Sequence, residues 1–301
     1  MNFNSALNDI FEDNNLGLPK NDDEFLKLLQ EQGLNTEEIA PILKATGKQM
    51  ILATAGSGKS TVLELKFARD KLLGCLAGGV DANKKVLITT FLASGAGTME
   101  VGLRKRLYEL GLGNINLSDV SFAHMHKEFL ALLRLVGVKS EVLADGGSNN
   151  LKRRLLSSIC RKFDLARSPD YPTQQELNVL ESTISAYRNT VLSEFILTDS
   201  YADAKDMGIT KANLPMLVAE YKLLRNRNDV IDFDDMIELI YTYFANPETR
   251  QPHLYDLYIN RYKYIMLDEF QDTSELQYCV LKPLFENCEN VIVVGDDDQS
   301  I

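Results

Sequence analysis

The stretch that most constrains the fold is Ala-Thr-Ala-Gly-Ser-Gly-Lys-Ser-Thr, residues 53–61. The apolar run that precedes it, residues 49–53, is typical of a buried strand, and residues 62–68 after it have the pattern of a helix. A strand, a glycine-containing loop and a helix in this order predict a loop that binds phosphate groups. Glycine has no Cβ, so the loop backbone can approach phosphate oxygens closely, and the helix N-terminus adds the positive end of its dipole.

The residue types of this loop predict separate roles. Lys59 would reach the β- and γ-phosphates of a nucleotide, and the Ser60 hydroxyl would take one Mg²⁺ position. The other predicted nucleotide-binding residues of the loop are Ala53, Thr54, Ala55, Gly56, Ser57, Gly58 and Thr61. Because Ala53 stands where the general pattern has a glycine, the loop alone is also compatible with an ordinary glycine-serine turn before a helix.

Two further apolar runs end in acidic residues. Residues 264–267 lead into Asp268 and Glu269, and residues 291–294 lead into Gly-Asp-Asp-Asp-Gln at 295–299. Ligands of open parallel sheets bind at the carboxyl ends of the strands, where these acids would lie. Asp268 is predicted to hold Mg²⁺ through water, and Glu269 to orient and deprotonate an attacking water. Three polar strand ends in one chain predict an ATP site with Mg²⁺, because three unrelated solvated turns are improbable.

The acidic segments carry a resemblance to a known family. Residues 261–273, Arg-Tyr-Lys-Tyr-Ile-Met-Leu-Asp-Glu-Phe-Gln-Asp-Thr, resemble the second motif of UvrD/Rep/PcrA-like superfamily 1 DNA helicases, and residues 293–301 resemble the third. Residues 231–237, Ile-Asp-Phe-Asp-Asp-Met-Ile, are similar to the segment that precedes the second motif in that family. The resemblance implies that Gln299 acts with Lys59 and Glu269 as a catalytic residue.

The resemblance also implies a fold and an activity. The fold is an α/β, RecA-like P-loop NTPase domain with a parallel sheet, in two parts (residues 1–120 and 259–301), interrupted by a mostly helical inserted subdomain (residues 121–258). The activity is ATP hydrolysis coupled to 3′ to 5′ movement along DNA, with single-stranded DNA or a single-strand/duplex junction as partner. A second RecA-like domain would be supplied in cis or in trans, and residues 1–301 alone are not expected to unwind DNA.

One departure from the family concerns the nucleotide base. The family pattern Leu-Asn-x-x-Gln, whose glutamine recognises adenine, falls here on Glu38, which precedes Lys59 by 21 residues. An ionised glutamate can accept from the adenine N6 amine, but it has no proton to donate to N7. Three interpretations stay open: a protonated Glu38, recognition by Gln49 or Gln32 instead, or weak base selectivity. The preserved register with changed chemistry favours weak selectivity.

A second departure concerns the DNA path, on which the resemblance places Thr90, Phe91, Phe122 and His124. The Asn-Lys pair that follows the Thr-Phe of the family reads Ala93-Ser94 here, so one cation near a phosphate is lost or moved. Arg104 or Arg106 could replace it, although a solvated helix face is an equally good interpretation of both.

Composition narrows the class of protein. A net charge of −11 over 301 residues argues against a protein that coats nucleic acid by charge alone, while a motor with a narrow DNA groove can be acidic. Four cysteines without C-x-x-C spacing predict reduced thiols in the cytoplasm. No apolar run approaches the ~18–20 residues of a membrane span, so no membrane partner is expected.

Two alternatives to a DNA motor stay open. One is an ATP-binding subunit of a helicase-nuclease or phage-defence complex. The other is a nucleotide-binding module that docks on DNA and hydrolyses nothing, against which the presence of Glu269 argues. Before the matching region, Asn21 and the acids after it predict the start of an accessory helix that covers the ATPase domain.

Overall fold

The computed structural model describes residues 18–54, 56–73, 76, 85–90, 95–143 and 150–296. The strands are β1 (Lys48–Leu52), β2 (Lys85–Thr90), β3 (Val120–His124), β4 (Glu141–Val142), β5 (Val230–Ile231), β6 (Tyr262–Leu267) and β7 (Asn290–Gly295). The helices are α1 (Asp22–Glu31), α2 (Ala40–Lys44), α3 (Lys59–Leu73), α4 (Gly95–Glu109), α5 (Met125–Leu135), α6 (Asn150–Phe163), α7 (Gln174–Asn189), α8 (Ala202–Asp206), α9 (Leu214–Arg227), α10 (Phe233–Ile240), α11 (Pro252–Ile259) and α12 (Glu275–Asn287). Among these helices, none combines the length and the apolar character that crossing a membrane requires.

The main sheet has five strands in the order β1-β7-β6-β2-β3, and every neighbouring pair is parallel. The pairing aligns the strand ends: Leu52 lies opposite Gly295, and Thr90 lies opposite His124. The carboxyl ends therefore meet at one edge, and the chain segments that leave this edge can build a common site. The predicted α/β fold with a parallel sheet is confirmed.

Each face of the sheet is covered by its own apolar core. Helices α1, α3 and α4 pack on one face, around buried side chains that include Phe67, Val86, Ile88, Leu103, Tyr264 and Ile292. Helices α5, α10 and α12 pack on the other face, around Leu87, Phe129, Ile237, Ile265, Val280 and Val291. Neighbouring residues of β2, β6 and β7 alternate between the two cores, as expected when a parallel sheet is buried on both sides.

A third core lies among helices α6 to α9 and includes Ile159, Leu177, Leu180, Leu217 and Tyr221. This separate cluster supports the predicted inserted helical subdomain, whose limits at residues 121 and 258 stay a prediction. Strand β3 pairs in the main sheet, and α5 and α10 pack on its core. We therefore propose narrower limits, with the inserted subdomain between the end of α5 and the start of α10.

Two buried arginines join this inserted core to the sheet domain. Arg188 of α7 donates to Asp232 at 3.0 Å and to Asp235 at 2.6 Å, and Arg225 of α9 donates to Asp235 at 2.7 Å. Asp232 is the N-cap of α10, in a reciprocal capping box with Asp235. Burial raises the pKa of Asp232 to about 6, against the opposing charges of the two arginines. The family segment at residues 231–237 thus has a structural role between the two cores.

Helix α1 precedes the region of family resemblance and is nevertheless part of the sheet domain. Its N-cap Asn21 accepts from the Glu24 amide at 2.9 Å, as the sequence predicts for a helix start. Phe25 is fully buried against α3. Asp22 accepts from Arg69 at 2.7 and 3.1 Å, and the bond from Arg69 lowers the pKa of Asp22.

We expect Phe25→Ala to destabilise the whole sheet domain. The substitution removes a fully buried aromatic ring from the core on one face of the sheet, and comparable changes cost about 3–5 kcal/mol in the free energy of unfolding. Lys27→Ala, on the exposed side of the same helix, is the matched control with an expected effect below ~0.5 kcal/mol. Urea titrations of the two variants test this, and equal unfolding midpoints would show that α1 is dispensable.

Candidate nucleotide-binding site

The predicted phosphate-binding loop lies between β1 and α3, at the carboxyl edge of the sheet. The Ala53 amide donates to the Gly295 carbonyl at 3.1 Å, which ties the loop to the end of β7. Gly56 and Gly58 have φ angles of +76° and +84°, a conformation that is strained for residues with a Cβ. Ser57 donates through its hydroxyl to the Thr54 carbonyl at 2.8 Å. Ala55, also a predicted loop residue, lies outside the described residues.

Lys59 is the first residue of α3, and its ammonium group contacts the start of the loop and the residue after β7. Its Nζ donates to the Ala53 carbonyl at 3.0 Å and to Asp296 Oδ2 at 3.2 Å. Asp296 is buried, with 1% of its side chain exposed. The first amide groups of α3, including those of Ser60 and Thr61, have no partner within the helix, because a helix leaves its first four donors unpaired. A cation, unpaired amides and two left-handed glycines fit a bound polyphosphate.

The two acidic residues predicted for catalysis follow β6 directly. The Asp268 amide donates to the Thr89 carbonyl at 3.1 Å, so Asp268 extends the pairing of β6 with β2 by one residue. Burial raises the pKa of Asp268, the charge of Glu269 adds to this shift, and Lys59 opposes it. Glu269 adopts a left-handed backbone conformation, with φ 54° and ψ 46°. Such strain in a residue other than glycine is found most often at functional sites.

Ser60, Thr90, Asp268 and Glu269 line part of one cavity of about 300 Å³, whose other lining residues belong mostly to α3, α4 and the sheet and are largely apolar. The structure thus brings together the two predicted Mg²⁺ ligands, Ser60 and Asp268, with the predicted base. Within the described ranges, no group of three or more histidine, cysteine or acidic residues could hold a metal by itself. Mg²⁺ commonly takes only one or two protein ligands and completes its shell with phosphate oxygens and waters, so the residues present fit it.

One polar residue of the site was missed by the sequence analysis. Gln271 donates from Nε2 to Glu269 Oε2 at 2.6 Å and accepts from the Asp296 amide through Oε1 at 3.0 Å. The sequence feature that could have identified Gln271 is its position two residues after Glu269. It lies in the short turn Phe270–Asp272. Gln299, the third predicted catalytic residue, lies outside the described residues.

The sequence pattern that defines the UvrD/REP helicase N-terminal domain matches residues 34–301. The chain belongs to this family. The parallel sheet with its loop at residues 53–61 is therefore the RecA-like P-loop domain that the resemblance predicted.

Relatives with the name ATP-dependent DNA helicase PcrA are similar to most of this chain. The one from Bacillus subtilis is 27% identical over 285 residues, which are 89% of this chain and 33% of the relative. The one from Leuconostoc citreum is 26% identical over 275 residues, again 89% and 33%. The one from Staphylococcus aureus is 26% identical over 273 residues, or 89% and 34%. The chain thus spans about a third of the length of the curated relatives it matches.

The residue predicted to stand at the adenine-recognition position is on the surface. Glu38 is exposed, in the turn that precedes α2. Gln49, one alternative, is half-buried in β1, and Gln32, the other, is exposed at the end of α1. The structure leaves Glu38 accessible to a ligand, and its role stays a prediction.

Of the predicted DNA-path residues, Thr90 and His124 end β2 and β3 at the same edge of the sheet as the nucleotide site. Thr90 is buried and His124 is half-buried. Phe122 lies within β3, opposite Ile88, and packs against the core on one face of the sheet. Burial lowers the pKa of His124, and the charge of Lys127 adds to this effect, so a neutral imidazole is expected at pH 7. His124 is therefore better suited to stacking or hydrogen bonding than to pairing with phosphate. Phe91 lies outside the described residues.

The two arginines considered as replacements for the lost cation are both paired with carboxylates. Arg104 donates to Glu100 at 2.8 Å, one helical turn away in α4. Arg106 donates to Glu109 at 2.8 Å and to Glu64 of α3 at 3.2 Å. These ion pairs favour the interpretation of both as surface residues of α4, because each positive charge is already balanced by an acid.

Proposed function

We propose that this chain is the ATP-binding and ATP-hydrolysing part of a DNA helicase that moves 3′ to 5′ along single strands. The observation that carries the proposal is the convergence of Lys59, Ser60, Asp268 and Glu269 at one edge of the sheet. A binding module without hydrolysis would need the loop and the metal ligands, but it would not need a carboxylate in the place of the base. The PcrA relatives, which are named ATP-dependent DNA helicases, support the proposal of an ATP-hydrolysing part of a helicase.

Each residue of the site has a part in this proposal. Lys59 exchanges its bond with Asp296 for the β- and γ-phosphates of ATP, and the amides of residues 58–61 donate to the same oxygens. Ser60 would hold Mg²⁺ directly and Asp268 would hold it through water, which would place positive charge beside the phosphoryl oxygens. Glu269 orients a water molecule for attack on the γ-phosphate and accepts its proton.

The DNA strand is proposed to cross the carboxyl edge of the sheet next to the nucleotide, along Thr90, Phe122 and His124. The relatives are about three times as long as this chain, and we propose that a second RecA-like domain works with it in cis or in trans. Nucleotide-dependent movement between two such domains would carry the strand along. A direct test is release of phosphate from ATP by the chain, with and without EDTA, for which we expect slow release that requires Mg²⁺. Mg²⁺-independent release would contradict the assigned site.

The exposed Glu38 leads to a prediction about the base. An ionised carboxylate cannot satisfy both N6 and N7 of adenine, so ATP and GTP are expected to bind with affinities within about tenfold of each other. Glu38→Gln should increase the preference for ATP, because an amide can both accept and donate. Competition of the two nucleotides against a fluorescent ATP analogue measures this ratio. A strong ATP preference that Glu38→Gln leaves unchanged would show that adenine is recognised by other residues.

A further inference from the structure

One amide group joins the two acidic strand ends of the site. Gln271 donates to Glu269, which follows β6, and accepts from the backbone of Asp296, which follows the neighbouring strand β7. The connection continues to the phosphate-binding loop, because the Asp296 carboxylate accepts from Lys59 at 3.2 Å. A continuous set of hydrogen bonds therefore runs from the cation of the loop to the proposed base.

The residue type at position 271 is what this arrangement requires. A carboxylate needs a donor and a backbone amide needs an acceptor, and the primary amide of glutamine offers both from one planar group. The two partners also fix which end of the amide faces which neighbour. The end of β7 leaves space for the Gln271 side chain, because Gly295 has no Cβ. A Cβ at this position would lie 3.2 Å from Gln271 Oε1 and 3.5 Å from the backbone nitrogen of Gln271. Glycine at 295 thus permits the close approach of Gln271.

Glu269 needs such a partner to act as a base. A general base must be held within hydrogen-bond reach of its water, and side chains around it have to lock its orientation. The backbone of Glu269 is fixed, because its amide donates to Asp268 Oδ1 at 3.0 Å and its carbonyl accepts from Asp272 at 3.0 Å. The bond from Gln271 to Oε2 then orients the carboxylate, so that Oε1 is the oxygen assigned to the attacking water.

We propose that Gln271 is a positioning residue for hydrolysis, which holds Glu269 in place and couples its orientation to Asp296 and Lys59. This inference rests on the proposed hydrolytic role of Glu269 and extends it. The Asp296 side chain bonds Lys59 while its backbone amide bonds Gln271, so the residue that pairs with the cation of the loop also anchors the amide that holds Glu269.

Two substitutions separate the two bonds of Gln271. Gln271→Glu keeps an oxygen for the Asp296 amide but replaces the donor to Glu269 with a second carboxylate, whereas Gln271→Leu removes both bonds. Both variants are expected to bind a fluorescent ATP analogue with Mg²⁺ within about twofold of the unaltered chain. Both are expected to lose about tenfold or more in single-turnover ATP cleavage.

Gln277→Glu is the matched control. It introduces the same charge in α12, and a carboxylate oxygen can still accept from the Ser274 amide, as Gln277 Oε1 does at 2.8 Å. Cleavage is expected to be unchanged in this variant. An equal loss in Gln277→Glu would mean that negative charge in this region, and not the position of Glu269, limits the reaction.

Thermal unfolding without nucleotide gives a second readout that is independent of catalysis. Gln271→Glu brings two carboxylates together and is expected to lower Tm by about 2 °C or more. In the double variant Gln271→Glu, Glu269→Gln, the amide at position 269 can donate to the carboxylate at position 271, and Tm is expected to recover. If Gln271 only filled space, the changes in Tm from the two substitutions would add instead.

The results distinguish this inference from the proposed function. Undiminished cleavage in Gln271→Glu, a loss of affinity that parallels the loss of cleavage, or no recovery of Tm in the double variant would each overturn the positioning role. Undiminished cleavage in Glu269→Gln would instead refute Glu269 as the base. In that case the comparison of melting temperatures would still decide whether Gln271 bridges the two strand ends.

Discussion

Lys59→Ala is expected to abolish detectable binding of Mg²⁺-ATP, the largest effect that we predict for any single substitution. The ammonium group is the cation of the loop, and without it no side-chain cation of the loop balances the phosphate charges. A loss of at least about 100-fold in affinity, close to 3 kcal/mol, is expected. Equilibrium titration with a fluorescent ATP analogue measures it, and unchanged affinity in the variant would refute the assignment of the loop.

The structure adds a control that the sequence did not suggest. Lys59 is paired with the buried Asp296, so its substitution also affects the folded chain without a ligand. Lys59→Ala removes this ion pair, which costs roughly 1–3 kcal/mol of stability. The double variant Lys59→Ala, Asp296→Asn should recover the stability and still fail to bind. Binding that returns together with stability would mean that the single variant was merely misfolded.

Glu269→Gln is expected to separate binding from turnover. The amide has the shape of the carboxylate but cannot accept a proton from the attacking water, so cleavage should fall by about 100-fold or more. Affinity for Mg²⁺-ATP should stay within about twofold, because Lys59, Ser60 and Asp268 are untouched. Chemical-quench measurement of single-turnover cleavage, beside titration with the fluorescent analogue, gives both quantities.

The useful comparison for Glu269→Gln is Asp268→Asn, at the adjacent position. Asp268 is assigned to the metal, so its substitution should weaken Mg²⁺-dependent binding as well as cleavage. If Glu269→Gln also lost binding, or if it kept full turnover, the division of roles between the two neighbouring acids would be wrong.

Local sequence patterns predicted the positions of the strands that carry the site, because each is an apolar run that ends in polar residues. The prediction that the first of them is buried was wrong: β1 is an edge strand, and Met50 and Leu52 are exposed. The runs at 264–267 and 291–294 lie within β6 and β7, and the helix predicted after the loop is α3. Each of these segments can be predicted from residue types that are close together in the sequence. That their polar ends lie close together could be predicted from a general rule, because parallel strands have their carboxyl ends at one edge of the sheet.

Contacts between residues that are far apart in the sequence could not be predicted from such local patterns. The bond between Lys59 and Asp296 joins residues 237 positions apart, and its existence depends on β1 and β7 being neighbours. The role of Gln271 could not be predicted either. Nothing in the sequence shows that its side-chain amide bonds Glu269 on one side and the Asp296 backbone on the other. The same applies to Arg188 and Arg225, which look like surface cations of helices and are in fact buried among the acids of residues 232–235.

We propose above all that one edge of the sheet holds Mg²⁺-ATP between the loop at residues 53–61 and the acids that follow β6. A crystal structure of the chain with Mg²⁺ and a non-hydrolysable ATP analogue tests it most directly. We expect a γ-phosphate within about 2.7–3.2 Å of Lys59 Nζ, in place of Asp296, and Mg²⁺ on the Ser60 hydroxyl. An analogue bound elsewhere, or bound at the loop with Lys59 still on Asp296 and the metal away from Ser60, would contradict it.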